Sequence, residues 1–197
     1  MGQNRRPKPG GLLLAPGAGA DRTSPTLVAL DQGLAERPGL PVRRMDFPYR
    51  KEGRKAPDRA PKLLATVVEE AGSFVAEQGI APGSLVLGGR SMGGRMCSMA
   101  VADGLPAAGL VLLSYPLHPP GKPEKLRIEH LPALDLPVLF VAGVKDPFAS
   151  PEEVEAHAAA IPGPVTLHWL ETPNAGHSPK NKDPEILEVT RDWLADL

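Results

Sequence analysis

The stretch LVLGGRSMGGRMCSM, residues 85–99, passes from a short apolar run through glycines crowded around Ser91 into a tail with helical spacing. Residues 85–87 read as a buried strand, and the chain from Met92 onward reads as a helix. A turn that tight brings backbone against backbone, and Gly89 and Gly93 leave room where side chains two residues before and after the serine would collide. Gly89-Arg90-Ser91-Met92-Gly93 thus has the form G-x-S-x-G, with a strand before it and a helix after it. In that context the turn lifts a serine hydroxyl clear of a sheet. The same pattern also has a plain structural reading, a turn that serves close packing only, because a chain with 21 glycines can produce it without chemistry.

Working outward from residue 91, short β-type runs alternate with longer helical ones. Strands are predicted over 11–15, 42–47, 85–87, 110–114, 138–141 and 165–170, and helices over 25–36, 60–78, 92–103, 151–160 and 184–196. Several of the strands are apolar throughout, as strands buried on both faces are. The order predicts an α/β fold with a parallel sheet of six strands covered by helices. Ser150-Pro151-Glu152-Glu153 is a helix start with a capping serine, a proline at the first position and acids at the positive end of the dipole, and Asp183-Pro184-Glu185 follows the same logic. The 24 prolines fall mostly at such boundaries, so they punctuate a fold rather than mark disorder. Residues 1–10 are expected to be a flexible tail, and residues 11–197 a single domain. Only 114–137, SYPLHPPGKPEKLRIEHLPALDLP, breaks the alternation; it is a long connection, of a kind that often carries function.

A formal net charge of −1, with no basic run longer than a pair, argues against nucleic acid as a partner. One cysteine, Cys97, allows no internal disulfide or cysteine-based zinc site and suits a reducing compartment. LLLA, residues 12–15, is too short for the apolar part of a leader and is followed at once by Pro16 and Gly17. The expectation is a cytoplasmic protein with no membrane segment. Neither a metal nor a cofactor is called for, and the oligomeric state is left open.

A serine nucleophile needs a base, and the base an orienting acid. With the serine on a strand-to-helix turn, those partners follow it in the chain. Of the five histidines, His157 lies within a helix, His168 alternates within a strand, and His118 and His130 lie in the 114–137 connection. His177 follows the last strand in a turn-rich loop, ETPNAGHSPK, at the edge where open parallel sheets build their sites. His177 is the candidate base. Asp146 ends the strand run VLFVAGVKDPF at the same edge, 31 residues earlier, and is the candidate acid; Glu171 is the runner-up, and a turn-forming role before Pro147 is the bland alternative for Asp146. Two backbone N–H groups are needed where negative charge develops. Met92 supplies one, and the loop LLLAPGAGADRTSP offers Gly17, Ala18 or Gly19 for the other. That loop lacks the spacing of either phosphate-binding glycine motif. Gly17, Arg90 and His118 are the candidate substrate contacts. Arg90, Arg95 and Lys145 flank the expected site; two of them at its rim would favour an anionic substrate, and the alternative is that Arg95 points to solvent and Arg90 pairs with a structural carboxylate.

Taken together, LLLAPGAGADRTSP, LVLGGRSMGGRMCSMA, LVLLSYPLHPPGKPEKLRIEHL, PVLFVAGVKDPF and AGHS resemble the small α/β-hydrolase-fold proteins related to testis-expressed protein 30 and the NSL-complex subunits, and more broadly dienelactone-hydrolase-like enzymes. The resemblance runs from about residue 11 to 197 and departs at Pro16, where the family pattern has a histidine. It implies an α/β-hydrolase fold without a full lid domain and with an open, shallow pocket. Ser91, Asp146 and His177 would form its triad, with Ala18 and Met92 as oxyanion donors. The chemistry expected is hydrolysis of a small-molecule ester or thioester. The alternative is a non-catalytic scaffold whose 114–131 surface binds a protein.

Overall fold

Six parallel strands form one sheet in the order β2-β1-β3-β4-β5-β6 in the computed structural model, which describes residues 7–35, 40–171 and 176–197. The strands are β1 (Gly11–Ala15), β2 (Val42–Arg44), β3 (Leu85–Arg90), β4 (Gly109–Leu113), β5 (Val138–Gly143) and β6 (Val165–Leu170). Among the described residues, six α-helices connect or follow them: α1 (Pro25–Leu34), α2 (Pro48–Lys51), α3 (Ala60–Gln78), α4 (Met92–Ala102), α5 (Pro151–Ala158) and α6 (Asp183–Asp196). This is the α/β architecture that the alternation of strand and helix signals predicts.

The period of two in each strand divides the core into two layers. Leu12, Leu14, Val86, Val111, Leu113 and Val141 face α1 and α6, where Leu27, Leu30, Ile186 and Trp193 close over them. Leu13, Ala15, Leu87, Leu112 and Phe140 face the opposite side, against Leu63 and Val67 of α3, Met96 and Cys97 of α4 and Val154 of α5. Both faces are covered, so β1, β3, β4 and β5 are apolar almost without interruption, as parallel strands are.

Several boundaries differ from the sequence expectation. β2 ends at Arg44 rather than continuing to residue 47, because Met45 and Phe47 turn inward to the core and Pro48 opens the one-turn helix α2. β3 runs three residues past the predicted end, up to the residue before Ser91. Ser150 caps α5 as expected, accepting from Glu153 N–H while the Glu153 carboxylate accepts from Ser150 N–H. Asp183 does not cap α6: it lies inside the helix, and its carboxylate accepts instead from the Thr26 hydroxyl at 2.7 Å, tying α6 to α1. Of the expected tail, residues 1–6 lie outside the described residues, as does the end of the predicted helix 25–36; Gly10 N–H already donates to Ser84 O at 2.8 Å.

The turn between β3 and α4 is packed as the glycine spacing requires. A Cβ on Gly93 would run into the carbonyl oxygens of Ala15 and Pro16 at the end of β1, and one on Gly89 would strike Ala15 and the backbone of Gly93 and Gly94. These obstacles are backbone, which cannot swing aside as a side chain can. Gly93→Val is therefore expected to lower folding stability by about 1–3 kcal/mol or more, read as a drop in the chemical denaturation midpoint. An unchanged midpoint would mean that β1 and α4 do not approach each other this closely.

Candidate functional site

The strand order reverses between β1 and β3: the chain leaves β1 for β2 on one side and returns to build β3 to β6 on the other. Open parallel sheets form their crevices at the carboxyl ends of the strands beside such a point. A cavity of about 520 Å³ lies there, within the roughly 300–1,000 Å³ common for small-molecule sites. Its walls come from the loop after β1 (Gly17, Ala18), the start of α4 (Ser91, Met92, Arg95), the 114–137 connection (Pro116, Arg127) and the loops after β5 and β6 (Phe148, His177).

Ser91 sits between β3 and α4 with φ 51° and ψ −120°. A side chain in that region is strained, and the surrounding backbone enforces it: Ser91 N–H donates to Leu113 O at 2.8 Å, and Ser91 O accepts from Arg95 N–H at 3.1 Å. The hydroxyl makes no cap bond to the helix and is left for another partner. That partner is His177, whose Nε2 lies 2.7 Å from Ser91 Oγ. On the far side of the ring, Nδ1 lies 3.0 and 2.8 Å from Asp146 Oδ1 and Oδ2. An ionised carboxylate only accepts, so Nδ1 carries the proton and Nε2 is the acceptor for the Ser91 hydroxyl. Asp146 is held in turn by Phe148 N–H, which donates to Oδ1 at 2.9 Å, and its side chain is fully buried. The Phe148 ring lies 4.1 Å from the imidazole, centroid to centroid. Three loops at one sheet edge thus bring together Ser91, His177 and Asp146. Glu171, the runner-up acid, is exposed at the end of β6.

Met92 is the first residue of α4, where a backbone N–H has no partner within the helix. Of the three N–H groups offered by the loop after β1, that of Gly19 is engaged, donating to Tyr49 Oη at 3.1 Å, while Ala20 N–H closes the turn on Gly17 O at 3.2 Å. Gly17 and Ala18 line the cavity beside Ser91 and Met92. Tyr49, buried on α2, anchors this loop, which sequence reasoning did not find; nothing local in PYRK points there.

The remaining expected contacts divide. Arg90 lines the cavity, but its guanidinium reaches across to donate to the His177 carbonyl at 2.7 Å and to the Ser178 hydroxyl, so it fixes the loop that carries the imidazole. Burial weakens its hold on its proton, while Asp183 and Asp146 strengthen it. His118 does not line the cavity: its ring is buried, with Nδ1 2.8 Å from Pro119 O and Nε2 3.3 Å from Glu153, and it braces the 114–137 connection against α5. Lys145 is exposed and outside the lining, whereas Arg95 is part of it. Arg127, which carries no local signal in the sequence, is part of it too. Cys97 packs in the core, and burial pushes its thiol up to about 12, so it presents no thiolate. Among the described residues, no group of three or more histidine, cysteine or acidic side chains could hold a metal ion, and no helix is long and apolar enough to cross a membrane.

Three residues after Arg127, His130 Nε2 lies 2.8 Å from Ser98 Oγ and 3.1 Å from Tyr115 Oη, pinning the connection to α4. Burial, reinforced by the positive charge of Arg95 and opposed by Glu129 and Asp103, brings the His130 pKa down from 6.5 to about 4. The folded protein then binds fewer protons at this position than the unfolded chain between those values. The contribution of neutral His130 to stability is complete above about pH 6.5 and is lost as the pH falls through about 4. Melting temperatures of wild type and His130→Asn followed from pH 7.5 to 4 should converge on acidification; a constant difference would show that His130 does not titrate in this way.

The sequence matches the family described as alpha/beta hydrolase domain over residues 8–193. Among solved structures, the chain is similar to Est1E from Butyrivibrio proteoclasticus with ferulic acid bound, at 18% identity and a TM-score of 0.77, covering 98% of this chain and 91% of that one. It is likewise similar to dienelactone hydrolase from Anabaena variabilis, at 16% identity and a TM-score of 0.73, over 96% of this chain and 87% of that one. A thermophilic esterase from Thermogutta terrifontis, with malate bound, is 23% identical with a TM-score of 0.71, over 96% of this chain and 90% of that one. With these structures the chain shares its fold. With its family match spanning nearly the whole length and its serine on the β3–α4 turn, this chain belongs to the alpha/beta hydrolase domain family.

Proposed function

We propose that this protein is a serine hydrolase that cleaves carboxylic esters or thioesters through an acyl-enzyme. The observation that carries the reading is the continuous chain of hydrogen bonds from Ser91 Oγ to His177 Nε2 and from Nδ1 to Asp146, set on a strained turn at the cavity wall. The family match and the esterases among the similar structures support it.

In this mechanism Ser91 Oγ attacks the acyl carbon as its proton passes to His177 Nε2. Asp146 keeps the imidazole in the tautomer that can accept that proton and stabilises the imidazolium that results. The N–H groups of Met92 and Ala18 receive the oxyanion, in the first turn of α4 where the helix dipole also favours negative charge. The tetrahedral adduct collapses, and the leaving alkoxide or thiolate takes the proton from Nε2. Water then repeats the sequence on the acyl-serine, giving the carboxylic acid and restoring Ser91. Arg90 serves as a positioning residue, holding the His177 loop from the residue next to the nucleophile. A fluorophosphonate probe tests the reading directly: one equivalent should attach to Ser91, found by peptide mapping. A folded protein that takes up no probe at Ser91 would overturn it in favour of a scaffold that binds without catalysis.

A further inference from the structure

The charged side chains on the cavity wall are Asp58, Arg90, Arg95 and Arg127, and two of them already have partners. Asp58 is a carboxylate of the wall, and its oxygens lie 2.8 Å from Arg54 and 3.1 Å from Lys62. Arg90 is engaged with the carbonyl of His177 and the hydroxyl of Ser178. Two guanidinium groups remain, those of Arg95 and Arg127. Among the described residues neither forms an ion pair, and Arg95 Nε is buried without a hydrogen-bond partner.

Their placement follows from two independent parts of the chain. Arg95 lies one helical turn beyond Ser91 and donates its backbone N–H to the serine carbonyl, so its side chain rises from the same face of α4 as the hydroxyl. Arg127 comes from the 114–137 connection, where His130, three residues on, is bonded to Ser98 and Tyr115, and where Leu131 and Leu134 are sunk in the core. The two cations are close enough that Arg95, after burial, is the main influence loosening the proton of Arg127. Like charges held together in a partly desolvated cavity repel unless an anion lies between them. Guanidinium groups present planar forks that match carboxylate and phosphate oxygens.

We propose that Arg95 and Arg127 form an oxyanion-binding subsite in the cavity that holds Ser91, so that the preferred substrate is an ester or thioester bearing a carboxylate or phosphate group away from the scissile bond. This substrate class rests on the hydrolase reading above, although the subsite itself does not. The long connection 114–137 then has a defined role, because it carries the second cation to the cavity wall.

The full chain is assayed with two matched pairs at low ionic strength. One pair is p-nitrophenyl valerate and the p-nitrophenyl hemiester of glutarate, with the anion on the acyl side. The other is the butyryl thioesters of mercaptoethanol and 3-mercaptopropionate, with the anion on the leaving group. In at least one pair kcat/KM should favour the anionic member by about tenfold or more, as a charge-assisted contact allows. The preference should fade as salt is raised. It should also collapse toward unity in both Arg95→Gln and Arg127→Gln, with Arg127→Lys retaining part of it. Glutarate and inorganic phosphate, tested as competitive inhibitors of the neutral ester, tell the two oxyanions apart. Binding is read separately from turnover: glutarate or phosphate should raise the melting temperature of Ser91→Ala, and the rise should vanish when Arg95→Gln and Arg127→Gln are added. Loss of all turnover with this thermal shift intact would count against the hydrolase reading and leave the subsite standing. Turnover of the neutral esters with no anionic preference in either pair, or no shift with either anion, would overturn the subsite.

Discussion

Ser91→Ala is expected to lower ester turnover on the order of 10³-fold or more while leaving the fold in place. The hydroxyl makes no structural bond: the bonds that hold the residue, from its N–H to Leu113 and from Arg95 N–H to its carbonyl, are made by its backbone, and the Ser91 Oγ contact is with His177. Alanine keeps the Cβ and meets the same strain at φ 51°, so the melting temperature should change little. His177→Ala should be nearly as damaging, and the double variant no worse than the more damaging single one, because groups that act as a unit lose their joint effect once. Steady-state rates on a p-nitrophenyl ester, with circular dichroism melts on the same samples, make the test. Wild-type turnover in purified Ser91→Ala, or effects that multiply in the double variant, would mean that these two residues do not act together on the substrate.

Asp146→Asn should cost about 10⁴-fold in kcat, although the side chains are nearly the same size. The reason lies in how the carboxylate is held. Phe148 N–H donates to Oδ1, so an asparagine will keep its carbonyl oxygen at that position and place its NH₂ where Oδ2 now faces His177 Nδ1. An NH₂ group there donates to Nδ1, which moves the imidazole proton to Nε2 and leaves the Ser91 hydroxyl without an acceptor. The variant should still fold, and fluorophosphonate labelling of Ser91 should slow along with turnover. A loss smaller than about tenfold would show that Asp146 acts only as a turn residue before Pro147.

Local geometry explains which parts of this site were readable in advance. The turn around Ser91 is marked by residues within two positions of it, whereas the obstacles that exclude side chains at Gly89 and Gly93 include the carbonyls of Ala15 and Pro16 at the end of β1. Asp146 and His177 are set by a similar rule, since each lies in the loop that follows a strand, and parallel strands all end at the same edge. Arg90 illustrates the limit of such reasoning: its neighbour in sequence points it at the substrate, yet its guanidinium spans to a loop 87 residues away. His118 is a similar case, because a histidine among prolines looks exposed until α5 packs over it and Glu153 meets its ring.

The sequence by itself determined the alternation of strands and helices, the two-faced burial of the sheet and the turn that holds Ser91. These follow from hydrophobic period, capping residues and steric limits that act over a few residues. Only the tertiary structure decided which cations face the cavity, which histidine is buried, which N–H of the Gly17–Gly19 loop is already engaged by Tyr49, and how the 114–137 connection folds down to bring Arg127 to the cavity that Arg95 lines. Each of those depends on pairs of side chains far apart in sequence. A long polar side chain has several rotamers that cost about the same, so its partner is chosen by whatever the packed core brings within reach.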